Sequence, residues 1–322
     1  MTASHVGLSL RLSVTDRCQF RCRYCMPPEG IGPLRHEEIL TYEEIAAFVH
    51  YLQTEFCLTK VRLTGGDPLI RRDLTRLIQM LAALGIPDLA LTTNGQLLAG
   101  KAVALKRAGL KRVNISLDSL VPTTFCHLSR GGQLDNTIQG IEAALHHNLR
   151  PVKLNMVVLR GINDHEVSDM LSFALHHGCK MRFLELIPLG AALENFEKWF
   201  MSSDEVFSRL SRSFRMSPIS FSPGDTARNY RVSDYAAGEG IVGFISPHTR
   251  PFCEGCRRLR LTADGHILGC LGQGSRISIK PFLRPEKSSH SEDIRGLIES
   301  ALMQKRNRPM FAMSSDMSAI GG

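Results

Sequence analysis

The chain has 322 residues, 43% of them hydrophobic and 22% charged, with 39 Lys and Arg against 31 Asp and Glu for a net charge of +8. That length predicts two domains or one barrel with an extension, and the apolar share supports a sizeable core, which excludes wholesale disorder. No apolar run approaches the roughly 18 residues of a membrane span, and residues 1–14 lack a basic start followed by an apolar stretch, so membrane insertion and export are disfavoured and a cytoplasmic setting is expected.

Apolar and polar side chains alternate over 9–15, which predicts a first strand. Thr41-Tyr42-Glu43-Glu44 reads as a capping box opening a helix through 54. A strand at 60–63 and an amphipathic helix at 73–84, stopped by Gly85, follow. The rhythm then repeats: strand 89–92 with helix 97–108, strand 112–117 with helix 134–147, strand 152–159 with helix 165–177, and strand 181–187 with helix 203–212. Six strand–helix units imply parallel strands and right-handed crossovers. An eight-unit barrel takes about 250 residues, so six units predict a partial barrel, with an open doubly wound sheet as the alternative. Beyond residue 216 the rhythm breaks. Residues 217–226 are rich in Ser, Pro and Gly and read as a linker or loop; 241–245 and 258–262 read as strands, 291–304 as a helix, and 309–322 as an almost uncharged tail. The predicted division is therefore 1–216 and 217–322.

Charge is spread evenly, +4 over residues 1–220 and +4 over 221–322, with no lysine block or basic tail. A long nucleic-acid groove needs a denser stripe, so a few arginines aimed at one compact anion are expected instead. Polar, glycine-bearing segments follow successive strands: Asp16-Arg17-Cys18, Thr64-Gly65-Gly66-Asp67, Thr92-Thr93-Asn94-Gly95 and Asp118-Ser119. These are C-terminal strand ends, where α/β barrels and open sheets carry their chemistry. One alone reads as a turn, but four at one edge predict an active face.

Nine cysteines, an odd number in a long chain, argue against a disulfide framework and for thiols in metal or redox chemistry. Cys18, Cys22 and Cys25 fall just after the first strand, with no fourth Cys or His close in sequence to close a zinc tetrahedron. Three thiolates suit a four-iron cluster whose fourth iron stays open to an exogenous ligand. Cys253, Cys256 and Cys270 form a second triplet that, taken alone, His266 could complete as a Cys3His zinc site. Cys57, Cys126 and Cys179 stand apart and read as ordinary thiols.

Cys18-x3-Cys22-x2-Cys25 with Tyr24 before its last cysteine, Leu63-Thr64-Gly65-Gly66-Asp67-Pro68 and Thr92-Thr93-Asn94-Gly95 resemble successive motifs of the radical S-adenosylmethionine (SAM) superfamily. Within it the chain is similar to the GTP 3′,8-cyclase family, the molybdenum cofactor biosynthesis protein A group, over nearly its whole length. The more specific signs are the second triplet with Arg258-Leu259-Arg260 between its members and the terminal Gly321-Gly322. The resemblance implies an α/β fold, a partial (β/α)6 TIM-type radical SAM barrel with a C-terminal extension carrying a second iron–sulfur cluster. It implies two 4Fe-4S clusters and SAM as cofactors. Cys18, Cys22 and Cys25 would hold the cluster that binds SAM, with Tyr24, Gly66, Ser116 and Ile187 contacting SAM. Cys253, Cys256 and Cys270 would hold the cluster that binds GTP, and His266 is then no ligand. Arg11, Arg62, Thr93, Lys153, Arg258, Leu259 and Arg260 fall at GTP positions, joined by Lys60 and Arg182, and Gly321-Gly322 would thread toward the active site.

The implied reaction abstracts hydrogen from the ribose C3′ of GTP with a 5′-deoxyadenosyl radical. The carbon radical then attacks guanine C8, giving 3′,8-cyclo-7,8-dihydro-GTP, the first intermediate toward molybdopterin. Implied partners are an electron donor such as flavodoxin or ferredoxin, a downstream cyclic pyranopterin monophosphate synthase and a second copy in a homodimer; nucleic acid and membrane are not expected. Three positions depart from the family pattern: Asp67 for Glu, Ile187 for Met and Arg257 for Asn, the last adding a cation expected to tighten triphosphate binding. Two rivals stand beside this reading: a radical SAM enzyme acting on a peptide or another small molecule, and a zinc-bearing nucleic-acid module.

Overall fold

Strand β1 (Leu8–Ser13) sets the pattern of the molecule: Leu8, Leu10 and Leu12 are fully buried, while Ser9 and Arg11 alternate with them and face the other way. The computed structural model describes residues 7–222, 224–234, 238–253, 255–272, 276–284 and 293–303. After β1 come α1 (Tyr42–Phe56), β2 (Leu58–Thr64), α2 (Leu74–Ala83), β3 (Asp88–Thr93), α3 (Ala102–Arg107) and β4 (Arg112–Ser116). Then follow α4 (Pro122–Ser129), α5 (Leu134–His146), β5 (Lys153–Val157), α6 (Val167–His176), β6 (Lys180–Leu184), α7 (Phe196–Trp199) and α8 (Ser203–Leu210). The remaining described elements are β7 (Arg215–Pro218), β8 (Arg228–Asp234), β9 (Gly238–Ile245), β10 (Arg258–Leu261), β11 (His266–Leu268), β12 (Ile277–Ser278), α9 (Lys280–Leu283) and α10 (Ile294–Met303).

The described strands form a single sheet in the order β12-β11-β10-β1-β2-β3-β4-β5-β6-β9-β8-β7. From β10 to β9 every neighbour is parallel, and the two outer ends turn antiparallel. Side chains from all six central strands, among them Arg11, Arg62, Thr93, Ser116, Asn155 and Leu184, line one cavity. Only a sheet curled into a trough allows that, so the chain is a partial barrel rather than a flat doubly wound sheet with helices on both faces. Leu10, Leu12, Val61, Leu63, Leu91, Ile115, Leu154 and Phe183 share one core with the helices on the convex side. In α1, Ile45, Phe48 and Leu52 are fully buried there, each worth roughly 1.5–3 kcal/mol. The predicted capping box is present: Glu44 N–H donates to Thr41 Oγ1 at 3.2 Å and Thr41 N–H to Glu44 Oε2 at 2.6 Å.

Several boundaries differ from those predicted. Helix α3 begins at Ala102, because 95–101 is taken up by turns, and α6 begins at Val167 after a short 3-10 turn at Asp164–Glu166. Helix α4 was not foreseen; Pro122 at its first position starts it within a stretch without clear periodicity. The segment expected to be a linker is bracketed by β7 and β8, which pair antiparallel. The mostly exposed β7 shows no apolar alternation from which to read a strand. The strands foreseen at 241–245 and 258–262 are seated on opposite edges of the barrel, β9 on β6 and β10 on β1. Residues after 216 therefore contribute to both edges of the same sheet.

Candidate active site

The loop after β1 carries Cys18, Cys22 and Cys25, and backbone bonds hold it from two sides. Gly66 N–H donates to the Thr15 carbonyl at 2.9 Å and Asp67 N–H to the Arg17 carbonyl at 2.8 Å; Arg21 and Arg23 N–H donate to the Ser129 and Leu128 carbonyls at 3.0 Å. A Cβ on Gly66 would stand 2.2 Å from the Arg17 carbonyl oxygen, so this glycine is required by the approach of the cysteine loop. Phe20 packs edge-on against Phe125, with ring centroids 5.9 Å apart. The three cysteines line a cavity of about 210 Å3 with Tyr24, Gly66, Ser116 and Thr93. Cys18 Sγ accepts from Phe20 N–H at 3.4 Å and from Asn94 Nδ2 at 3.8 Å, as a ligating thiolate does. Burial, then Asp67, pushes the Cys18 thiol up to about 11, and burial, then Cys25, pushes Cys22 well above its usual value. Thiolates there need a positive centre to share, which suits a metal cluster.

Two carboxylates stiffen the surrounding strand ends. Asp67 Oδ1 accepts from Leu69 N–H at 2.9 Å, and its Oδ2 accepts from Thr93 Oγ1 and Asn94 N–H, both at 2.7 Å. Buried to 1% exposure, this shorter carboxylate is committed to the β2 and β3 loops and does not line the cavity. Asp118 accepts from Tyr24 Oη at 2.6 Å and from Val157 N–H at 2.9 Å, and burial raises its carboxyl to about 6.

Cations crowd the trough: Arg11 and Arg62 line the first cavity and Arg11, Arg258 and Arg260 the second, whereas Lys60, Lys153 and Arg182 line neither. Arg260, Arg11 and Arg62 stand in register on three neighbouring strands. Burial, then Arg260, Arg62, Arg258 and Arg182, holds Arg11 well below its usual value. Arg62 is lowered to about 9 by burial, Arg182, Arg112 and Arg258, and Arg260 to about 10 by burial and Arg258. Lys153, at the start of β5, is lowered to about 6 by burial, Arg182, Arg112 and Arg62. Part of this charge is compensated at the N-terminal strand ends, where Arg112 forks onto Asp88 with two 2.8 Å bonds and Lys60 lies 3.3 Å from the same carboxylate. Arg11 Nε and Arg62 Nε are buried without a hydrogen-bond partner. Buried donors on repelling cations leave the trough short of an anion.

Cys253, Cys256 and Cys270 line a second cavity of about 190 Å3 with Arg258 and Arg260. The two cavities share Arg11 and Leu184. His266 lines neither; its Nδ1 lies 3.1 Å from Asp264 Oδ2. Among the described residues no three His, Cys, Asp or Glu side chains converge tightly enough for a single ion. Three thiols on the wall of each cavity are a donor set suited to a multi-iron cluster, on which each thiolate binds a different metal.

Other predicted residues sit elsewhere than expected. Ile187 lines the second cavity, not the first. Leu259 is fully buried in the convex core and gives no side chain to either cavity. Arg257 is exposed and lines neither, which removes the structural basis for the expected extra triphosphate contact. Thr93 lines the first cavity, but its hydroxyl donates to Asp67 and accepts from Gly95 N–H at 3.1 Å. Gly321 and Gly322 lie outside the described residues. Asn155 and the Arg112–Asp88 pair carry no local motif and come together only through lateral register, whereas Asp118 belongs to a polar strand-end loop.

The family model of the Radical SAM superfamily matches residues 12–174, and that of Molybdenum Cofactor Synthesis C matches 179–311. The GTP 3′,8-cyclase of Syntrophomonas wolfei is 41% identical over 301 residues, covering 93% of this chain and 90% of that one. The GTP 3′,8-cyclase of Alkaliphilus oremlandii is 40% identical over 320 residues, 97% of each, and that of Moorella thermoacetica is 43% identical over 277 residues, 85% and 84%. Among solved structures, Streptococcus suis SuiB bound to precursor peptide SuiA superposes with a TM-score of 0.58 at 12% identity, covering 94% of this chain and 67% of that one. That likeness speaks for the fold alone.

Proposed function

The chain belongs to the radical SAM superfamily and, within it, to the GTP 3′,8-cyclase family of molybdenum cofactor biosynthesis, and from that premise we propose that it converts GTP to 3′,8-cyclo-7,8-dihydro-GTP between its two cysteine triplets. The row of buried cations carries this proposal. Arg260, Arg11 and Arg62 repel one another beside Arg258, Arg182 and Lys153, and two of them keep orphaned donors. Guanidinium forks match phosphate oxygens, and a triphosphate brings enough negative charge to satisfy several at once. Arg11 stands where the two cavities meet, so a nucleotide held there reaches toward both triplets.

A 4Fe-4S cluster on Cys18, Cys22 and Cys25, with SAM bound, supplies hydrogen-abstracting radical chemistry that no side chain supplies. Tyr24, Gly66 and Ser116 line the space left for SAM, while Phe20, Phe125 and Leu128 on the same wall limit access of water. Cys253, Cys256 and Cys270 would hold a second 4Fe-4S cluster, the one that would take the guanine. An electron donor such as flavodoxin or ferredoxin, a downstream cyclic pyranopterin monophosphate synthase and a homodimeric state belong to the same proposal.

Anaerobic reconstitution with iron and sulfide, then reductant, SAM and GTP, tests it. Both 5′-deoxyadenosine and a cyclised GTP product are expected. Formation of 5′-deoxyadenosine with GTP unconsumed overturns the cyclase assignment.

A further inference from the structure

Glu185 follows β6 and lines neither cavity, yet its carboxylate is 3% exposed and receives four donors. Ser203 N–H at 2.9 Å and the Thr249 hydroxyl donate to Oε1; His248 N–H at 3.1 Å and Thr249 N–H at 3.0 Å donate to Oε2. Ser203 opens α8, whereas His248 and Thr249 belong to the turn after β9, closed by Arg250 N–H on the Ser246 carbonyl at 3.1 Å. Ser246 Oγ to Ser203 Oγ and Arg250 Nη2 to Asp204 Oδ2, both at 2.8 Å, also join the same two elements. From this turn the chain enters the segment that bears Cys253 and Cys256, and Ile187, Pro247 and Pro251 on either side of the clamp line the cavity of the second triplet.

A carboxylate is acceptor-only, so all four donors can converge on it; an amide in its place would set an NH2 against an N–H or O–H donor. Resting on the reading of Cys253, Cys256 and Cys270 as a ligand set, we infer that Glu185 is a positioning residue for that triplet. By pinning the 246–250 turn to β6 and α8 it sets where Cys253 and Cys256 meet their cavity.

The test uses metal-free, reduced protein under anaerobic conditions, pulsed with iodoacetamide and read cysteine by cysteine by peptide mass spectrometry. In Glu185→Gln, the half-buried Cys256 is expected to label ~5-fold faster or more, the effect of about 1 kcal/mol of local opening, while Cys18, Cys22 and Cys25 keep their rates and the already exposed Cys253 serves as internal reference. Thr249→Val removes only the hydroxyl donor and is expected to raise the Cys256 rate by less. A parallel rise at Cys18, Cys22, Cys25 and Cys256, or unchanged labelling of Cys256 in both variants, overturns the role of Glu185. Iron uptake keeps the two ideas apart. If the second triplet, tested with Cys18, Cys22 and Cys25 replaced by Ala, takes up no iron with Glu185 in place, the ligand assignment falls independently of the labelling result.

Discussion

The two cysteine triplets are held by different means. Cys18, Cys22 and Cys25 occupy one loop, tied by backbone bonds to the strand end after β2 on one side and to the end of α4 on the other, and all three are partly buried. Cys253 and Cys256 lie on the connection between β9 and β10, Cys270 comes after β11, and Cys253 is exposed. The turn leading to them is fixed chiefly by side chains: Glu185, the Ser203–Ser246 pair, the Arg250–Asp204 ion pair and Arg228 on the Arg250 carbonyl. Redundant backbone anchoring should make the first site tolerant of single side-chain losses, and the second sensitive to them. The cavities adjoin through Arg11 and Leu184, so the difference concerns how each triplet is supported.

The largest effects should come from removing ligands, and they should differ in kind. Outer partners of metal ligands already contribute 10- to 100-fold, so loss of a ligand should exceed ~100-fold. Cys22→Ala is expected to abolish both 5′-deoxyadenosine formation and GTP consumption. Cys256→Ala is expected to leave SAM cleavage measurable while the cyclised product disappears. Product analysis by chromatography decides, and equal loss of both readouts in the two variants would break the division of labour.

Next in size is the cation row that runs from one cavity to the other through Arg11. Arg62→Met should weaken GTP binding ~30-fold or more, since deleting one partner of a buried charge pair costs about 2 kcal/mol and upward. The same change should raise the Tm of the ligand-free protein by ~2 °C, because it removes a cation repelled by Arg182 and Arg112. Equilibrium dialysis and calorimetry measure the two; a Tm that falls together with affinity would mean that Arg62 is structural.

Lys153 adds a pH dependence. Its ammonium is lowered from 10.5 to about 6 in the folded chain, so between those values the unfolded chain binds more protons and ligand-free stability rises with pH. Below about pH 6 the penalty is complete. A bound triphosphate favours the charged form, so Lys153 takes up a proton as GTP binds. Affinity should then fall as pH rises from about 7 to 9, by up to about tenfold per unit. Titration calorimetry in buffers of different ionisation enthalpy reads the uptake directly, and Lys153→Met should abolish it. A GTP affinity flat across that range would remove Lys153 from the phosphate site.

Much of this was legible in the chain. Alternation in β1 already set Arg11 opposite three buried leucines, and clustered cysteines after a strand signalled a metal loop. The capping box at Thr41 was local chemistry, and local chemistry reads well. What could not be read depends on pairing across long separations. That β10 sits beside β1, bringing Arg260 next to Arg11, is a register fact between residues far apart in sequence. Glu185 looks like any strand-end glutamate until Ser203 and Thr249 close on it. Arg257 illustrates the opposite failure, since proximity to Arg258 in sequence suggested a third phosphate cation, yet it is exposed outside both cavities.

The smallest expected effect tests tolerance in the first loop. Tyr24→Phe removes the 2.6 Å bond to Asp118 and leaves that buried carboxylate with Val157 N–H alone. An acceptor left short of a donor costs about 1 kcal/mol or somewhat more, so SAM affinity should fall ~5-fold. The backbone bonds through Gly66, Asp67, Arg21 and Arg23 remain, so labelling of Cys18 and Cys25 in metal-free protein should stay unchanged, Cys22 being set aside because the Tyr24 hydroxyl also bonds its thiol. Acceleration at those cysteines as large as that expected at Cys256 for Glu185→Gln would show that the first loop, too, depends on side-chain anchoring.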